Sequence, residues 1–438
     1  MSNPRLSVSL PYWQDRDPLD ALLVAEAADK LGYDRLWLGE MATFDAFALA
    51  TAVGQAPGTI PLCIGPLAVA VRTPANIAMG VASVAALTGR PVSVALGTSS
   101  TVVVNNWHGR ERRSTAIHLE ESARIVRQLL DGEKAEFDGT VERITGYRLR
   151  LPAPGRSSER IVPSRSTLEA TEHPMRTESS GDVGGRMIKP AFRPRDSARM
   201  AARADCETVM VNSGLVRAPL RTAGGSSEPP VEPRAATVSS GAAQVAAPSY
   251  TRAVPDQLEF DTAAAGFELV VAAFGERALA AAARTADRVV LNLVTPAQVA
   301  RCVTAVRRYA AAANRPAPAV SVWVTAAADP TPEMLLTLRR GMVGYLRAPG
   351  YDAMFAEAGF GDAVRLAYSG AHPRDVLAAV SDELPAAVGM FGDAATLADR
   401  LAAYRVAGAD EVVIVPVTAA ADPAGLQTLE TIARIGRE

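Results

Sequence analysis

Short runs of β-branched and aliphatic residues alternate along the chain with longer Ala-, Leu- and Arg-rich stretches in which apolar residues recur every three or four positions. The first kind of run predicts strands and the second amphipathic helices, and their alternation predicts parallel βαβ units. Eight strands are expected, at residues 6–10, 35–39, 62–71, 92–97, 268–274, 288–293, 320–326 and 411–416. Helices are expected at 18–31, 75–87, 114–130, 276–286, 296–313, 332–345 and 394–407. Most of the strand runs are continuously apolar rather than alternating, as in a parallel sheet covered by helices outside and filled by side chains inside. Eight such strands with helices between them predict an α/β fold, the closed (β/α)8 TIM barrel.

Three helix-to-strand joints echo one another: Gly32-Tyr33-Asp34-Arg35-Leu36, Thr285-Ala286-Asp287-Arg288-Val289 and Gly408-Ala409-Asp410-Glu411-Val412. Each ends a helix, places an Asp and enters an apolar strand, which is the pattern of a repeated αβ turn. The alternation fails between residues 156 and 266. In that 111-residue window 39 residues are Ser, Thr, Pro or Gly, and Phe192, Tyr250 and Phe260 are its only aromatics. So few large apolar side chains cannot offset the entropy of ordering the segment, and it is expected to be a disordered insertion between strands four and five. The chain therefore divides into a first half-barrel at 1–155, the insertion at 156–266 and a second half-barrel at 267–438.

Composition narrows the partners. The 438 residues carry 45 basic and 47 acidic side chains, a formal charge of -2, so there is no net field for nucleic acid or anionic lipid. Cys63, Cys206 and Cys302 are too few and too scattered for a disulfide framework or a CxxC metal site. The first nine residues lack the basic start and apolar run of a signal peptide, and the apolar run at 60–71 is broken by Pro61, Gly65 and Pro66. A cytoplasmic protein acting on a small molecule is expected.

In a barrel of this kind chemistry sits at the carboxyl ends of the strands. Gly97-Thr98-Ser99-Ser100 there combines backbone freedom with three hydroxyls, suited to a phosphate or a ring carbonyl or to an ordinary turn. Gly275-Glu276-Arg277 opens a helix, where free amides favour an anion and Arg277 adds a charged donor. Of the four histidines, His108 follows a strand end beside Trp107 and is the best placed for proton transfer. HExxH, GxSxG and GxxxxGK[ST] motifs are absent, which disfavours metallohydrolase, serine-hydrolase and P-loop chemistry.

Taken in order, Leu36-Trp37-Leu38-Gly39-Glu40, Leu96-Gly97-Thr98-Ser99-Ser100, Trp107-His108-Gly109, Phe274-Gly275-Glu276-Arg277 and Ala286-Asp287-Arg288-Val289-Val290-Leu291-Asn292 resemble the luciferase-like monooxygenase superfamily. Within it they most resemble the branch using coenzyme F-420, an 8-hydroxy-5-deazaflavin. The resemblance implies a ring bound at the strand carboxyl ends and hydride transfer between its C5 and an organic substrate. It also implies a non-proline cis peptide in a bulge closing the third strand, which by position falls within residues 65–71, with Leu67-Ala68 as the candidate bond. Carried over residue by residue, Leu67, Ala68, Gly97, Thr98, Ser99, Ser100, Trp107 and His108 line the cofactor, Gly275 and Arg277 lie near its phosphate, and Asn292 lies on the ring or substrate side. A homodimer is implied as well.

Two departures matter. Sugar-phosphate-oxidising relatives carry a catalytic His directly after the strand-two acid, where this chain has Met41, and a Glu where Ser100 falls. That argues against sugar-phosphate chemistry and leaves Glu40 and His108 as the acid–base candidates. Two other functions remain open: an FMN-dependent monooxygenase fed by a separate reductase, and a catalytically inactive flavin-binding barrel.

The insertion follows the helix after strand four and re-enters at strand five, so it is expected at the amino-terminal face, away from the mouth. Excising residues 156–266 is predicted to keep the affinity for coenzyme F-420 or FMN, followed by fluorescence titration, within a few-fold of the full chain. A folded excision variant that no longer binds either would place the segment in the site.

Overall fold

The apolar runs pair side by side in parallel and close on themselves. The computed structural model describes residues 4–10, 17–40, 42–151, 209–210, 215–216 and 267–437. The first half runs β1 (Arg5–Ser9), α1 (Asp20–Leu31), β2 (Leu36–Leu38), α2 (Ala46–Gln55), β3 (Leu62–Ala68), α3 (Pro74–Thr88) and β4 (Val92–Gly97). A π-helical turn (Val102–Trp107), α4 (Thr115–Leu130) and the antiparallel hairpin of β5 (Lys134–Asp138) and β6 (Arg143–Arg148) follow. A two-residue pair, β7 (Val209–Met210) with β8 (Leu215–Val216), comes next in sequence. The second half begins with β9 (Leu269–Ala272), α5 (Glu276–Thr285), β10 (Arg288–Asn292), α6 (Pro296–Ala312), β11 (Ala319–Ala328) and α7 (Pro332–Val343). Four short helices follow: α8 (Tyr351–Phe355), α9 (Gly361–Tyr368), α10 (Pro373–Ala379) and α11 (Glu383–Val388). The chain ends with β12 (Met390–Gly392), α12 (Ala394–Val406), β13 (Glu411–Pro416) and α13 (Leu426–Arg437).

The ring reads β1, β2, β3, β4, β9, β10, β11, β13 and back to β1, every pairing parallel, so the eight expected strands form the closed barrel. β12 adds only to the far end of β11, outside the ring. The α2 helix escapes the periodicity reading because residues 46–55 carry no charge and so no polar face; its start is marked instead by Asp45, which accepts the amides of Phe47 and Ala48. The β5–β6 hairpin is likewise unexpected, and places the exit of the chain after a hairpin rather than directly after α4. Glu121 of α4 fastens it by accepting the amides of Thr140, Val141 and Glu142 at 2.7–2.8 Å. Apart from β7 and β8, the stretch read as a disordered insertion lies outside the described residues, as do Met41 and Cys206. Among the described residues no helix is long and apolar enough to cross a membrane.

The three echoing joints are three copies of one clasp. Asp34, Asp287 and Asp410 each donate their amide to a carbonyl of the neighbouring strand, Leu6, Leu269 and Val320, at 2.8–2.9 Å. Each then accepts that same residue's amide on its carboxylate, at 2.8, 2.8 and 2.7 Å. A residue at the start of one strand is thus held on both backbone groups, which fixes the register of β1 with β2, β9 with β10 and β11 with β13.

Side chains fill the barrel in layers. Trp37, Cys63, Ala95, Val270, Val290, Trp323 and Val413 form its middle, with Trp37 and Trp323 meeting edge to face at 5.6 Å. Below them lies a chain of alternating charges. Arg35 pairs with Glu268 at 2.5 Å, Glu268 with Arg288 at 2.7 Å and Arg288 with Glu411 at 3.4 Å. Glu411, 1% exposed, also accepts from the hydroxyls of Ser7 and Ser321 at 2.5 Å and from Trp37 Nε1 at 3.3 Å. Burial raises the Glu268 carboxyl, but Arg35 and Arg288 outweigh it and hold the group below the usual carboxylate range.

Because its folded value is depressed, Glu268 stabilises the fold fully above the unfolded carboxylate range near about 4.3 and loses that contribution as pH falls through the lower folded value. Glu268→Gln, which leaves two buried guanidinium groups short of a counter-charge, is predicted to cost about 3–5 kcal/mol by denaturant unfolding at pH 7. The gap to the parent should narrow in acid; a gap that is constant or widens from pH 7 to 3 would refute the assignment.

Candidate functional site

The strand carboxyl ends form one rim, built strand by strand. At β2, Glu40 accepts Arg72 Nε at 2.7 Å and Arg72 Nη2 on its other oxygen. The same guanidinium bonds Asp45, the N-cap of α2, and lies 4.9 Å over the Phe47 ring. The bonds from Glu40 raise the Arg72 pKa further, against burial, so this cation is permanent. Burial raises Asp45, but the Ala48 amide and Arg72 outweigh it and hold the carboxyl low. Glu40 therefore ties β2 to the turn after β3 and has both oxygens engaged.

At β3 the register slips between Ile64 and Leu67, giving the expected bulge. The cis peptide in it is Gly65-Pro66, not a non-proline bond at Leu67-Ala68. Gly65, at φ 122°, is required here: a Cβ would stand 2.2 Å from the Ala95 carbonyl of β4. The side chain of Leu67 is fully buried in the core between sheet and helices, so Leu67 can offer the mouth only its backbone; Ala68 is half-buried. The residue that turns toward the mouth is Pro66. A Cβ on Gly97 would meet Pro66 Cβ at 3.1 Å and Ala272 Cβ at 3.7 Å, so Pro66, Gly97 and Ala272 make a shelf of small groups at the ends of β3, β4 and β9.

After β4 the chain turns sharply. Ser99 is left-handed at φ 53°, and the Ser100 hydroxyl accepts the Val103 amide at 3.2 Å to start the π turn. Arg112 braces this loop, donating Nε to the Ser99 carbonyl at 2.9 Å and Nη2 to the Thr98 hydroxyl at 3.3 Å. It is half-buried, burial lowers its pKa, and among the described residues no carboxylate pairs with it. Trp107 ends the π turn half-buried, whereas His108 is exposed, its side chain bonded to none of the described residues. At β9, Gly275 caps α5 without a side-chain bond, and Gly275 and Arg277 are both exposed.

At β10, Asn292 projects inward two residues beyond the interior Val290, and its Nδ2 donates to the hydroxyl of Tyr351 at 3.2 Å. Leu293 then adopts φ 53° and enters a separate apolar cluster with Met342, Leu346, Phe355, Val376 and Leu384. These belong to the helices between β11 and β12, which cover this side of the mouth.

The structure thus gathers Gly97, Thr98, Ser99 and Ser100 on one side of the rim and Asn292 on another, and leaves His108, Gly275 and Arg277 exposed at its edge. Three residues were not anticipated. Pro66 enters the sequence reading only as a break in the apolar run at 60–71. Arg112 had a signal, the Arg110-Glu111-Arg112-Arg113 run beyond the π turn that follows the hydroxyl-rich loop. Tyr351 had none, because residues 332–388 form a separate cover that no barrel period describes.

A search of curated protein sequences finds no significant match. Solved structures with the same fold include the coenzyme F-420-dependent tetrahydromethanopterin reductase of Methanopyrus kandleri, at TM-score 0.62 and 12% identity, covering 98% of each chain. An F-420-dependent secondary alcohol dehydrogenase in complex with an F-420–acetone adduct superposes at TM-score 0.61 and 14% identity over 100% of each chain. The FMN complex of the oxygenating constituent of 3,6-diketocamphane monooxygenase, from the CAM plasmid of Pseudomonas putida, does so at 0.55 and 15%, covering 98% of this chain and 97% of that one. The family model for luciferase-like monooxygenases matches residues 8–203 and 246–411, well over half of the sequence, and the chain belongs to that family.

Proposed function

We propose that the protein is an oxidoreductase that binds a phosphate-bearing flavin or deazaflavin at the barrel mouth and serves hydride transfer between coenzyme F-420 and a small organic substrate. The observation that carries this reading is Arg112: a half-buried cation with no carboxylate partner among the described residues, held by Thr98 and Ser99 beside the shelf of Pro66, Gly97 and Ala272. A buried charge without a counter-ion is costly, and an anionic ligand relieves that cost. The shelf fits a flat ring, since a side chain on Gly97 would occupy the space over Pro66.

In this reading Arg112, with the hydroxyls of Thr98 and Ser100, holds the phosphate, and Gly97 lets the ring approach the backbone. A bound deazaflavin supplies the hydride-accepting or hydride-donating carbon. Glu40 positions the β2 and β3 loops through Arg72. Proton transfer falls to His108, whose ring bonds none of the described residues. Of the three structures named above, two are described with coenzyme F-420 and one with FMN, which keeps an FMN-dependent monooxygenase as the second reading.

Titration of the full chain with coenzyme F-420 and FMN, followed by absorbance and fluorescence, is predicted to show the deazaflavin binding more tightly. Arg112→Ala should weaken the phosphate-bearing cofactor about 10- to 100-fold, the value of a charge-assisted hydrogen bond or two, and leave riboflavin and the phosphate-free deazaflavin nucleoside unchanged. Tight FMN binding without deazaflavin binding would replace the first reading by the second, and binding of neither would leave an inert barrel.

A further inference from the structure

The cover over β9 and β10 is aromatic where it meets the barrel. Tyr351 stacks 4.6 Å from Phe274 at the end of β9, and Tyr345 and Phe355 lie 4.9 and 6.2 Å from it on the cover itself. Gly350 makes the close seating feasible. It sits at φ 93°, and a Cβ there would come within 2.6 Å of the Phe274 ring. The chain is therefore pinned so that the first residue of α8 puts its ring on Phe274 and its hydroxyl on Asn292.

Within that wall the Asn292–Tyr351 pair is the polar feature. Asn292 donates and the Tyr351 oxygen accepts, which leaves the phenol proton and the Asn292 Oδ1 without partners among the described residues. Burial pushes the phenol up to about 12, so it stays protonated and can donate. The charged groups of this part of the cover are turned away. Asp352 accepts the Gly350 amide at 2.8 Å and the Tyr368 hydroxyl at 2.8 Å, and Arg347 lies 5.9 Å over the Tyr368 ring, with Tyr368 52% exposed. The Asn292–Tyr351 pair thus offers one donor and one acceptor, framed by rings.

Resting on the reading of the mouth as a redox site, we infer that Tyr351 is the substrate-orienting hydrogen-bond donor. The surface it completes with Asn292, Phe274 and Tyr345 takes an uncharged organic substrate with an apolar body and a single carbonyl or hydroxyl oxygen. A site built to pair one oxygen discriminates strongly against an analogue without it, whereas the aromatic wall grades its ligands only by size and shape.

Acetophenone and ethylbenzene are suitable probes, alike in body and differing in the oxygen. Their dissociation constants for the full chain are measured by ligand-observed NMR, with and without saturating FMN or coenzyme F-420. Tyr351→Phe should change the ratio of the two constants about five-fold against acetophenone, the value of one neutral hydrogen bond, leaving ethylbenzene affinity and cofactor affinity as in the parent. Tyr351→Leu should weaken both probes, because it removes the ring as well. An unchanged ratio in Tyr351→Phe, or binding of neither probe by the parent chain, overturns the assignment. If the ratio shifts as expected but no flavin or deazaflavin binds, the Tyr351 site stands and the redox reading falls.

Discussion

Four charges in the floor of the barrel, Arg35, Glu268, Arg288 and Glu411, constrain everything above them. They come from the starts of β2, β9, β10 and β13, and they alternate in sign, so the set is neutral although each member alone would be a costly buried charge. A strand that slipped by one residue would turn its charge into the helical layer and strand the others inside. The network is therefore less a source of net stability than a lock on register. The Asp34, Asp287 and Asp410 clasps act at the same end of the barrel and to the same effect, on the backbone instead of the side chains.

With one end fixed, the other can depart from regular geometry. The rim holds the Gly65-Pro66 bulge, left-handed Ser99 and left-handed Leu293, each at the carboxyl end of a strand. Non-glycine residues at positive φ persist only where neighbours over-determine them. Ser99 is held by Arg112, and Leu293 by an apolar cluster of its own. Irregularity at the mouth and regularity at the floor are two sides of one arrangement.

The barrel was legible because its signals are periodic and local: apolar strands, amphipathic helices and the repeated Asp before a strand. The Asp joints even carried more than fold class, since the clasp they form sets strand register. Features of the site that depend on two distant segments meeting were hidden. Arg112 is an ordinary basic residue until Thr98 and Ser99 fold against it and, among the described residues, no carboxylate does. Leu67 and Pro66 lie one residue apart in an apolar run, and only the bulge decides that the proline faces the mouth and the leucine the core. Glu40 looked like a free acid because Arg72, 32 residues away, is what engages it.

The rim is also electrostatically divided, and the division follows the order of strands in the ring. The β4 loop carries a guanidinium and hydroxyls; β9, next to it, contributes the small Ala272 to the shelf; β10 follows with the uncharged Asn292 under an aromatic cover. Charge is thus concentrated at one end and excluded from the other by the pairing of Asp352 and Arg347 with Tyr368 on the outer face. Leu293 connects the two levels, since strand alternation sends Asn292 inward and the left-handed turn after it sends the Leu293 side chain into the cover. A displacement of the cover would have to move Leu293, and with it the end of β10, so Asn292 and Tyr351 are positioned together by a single piece of packing.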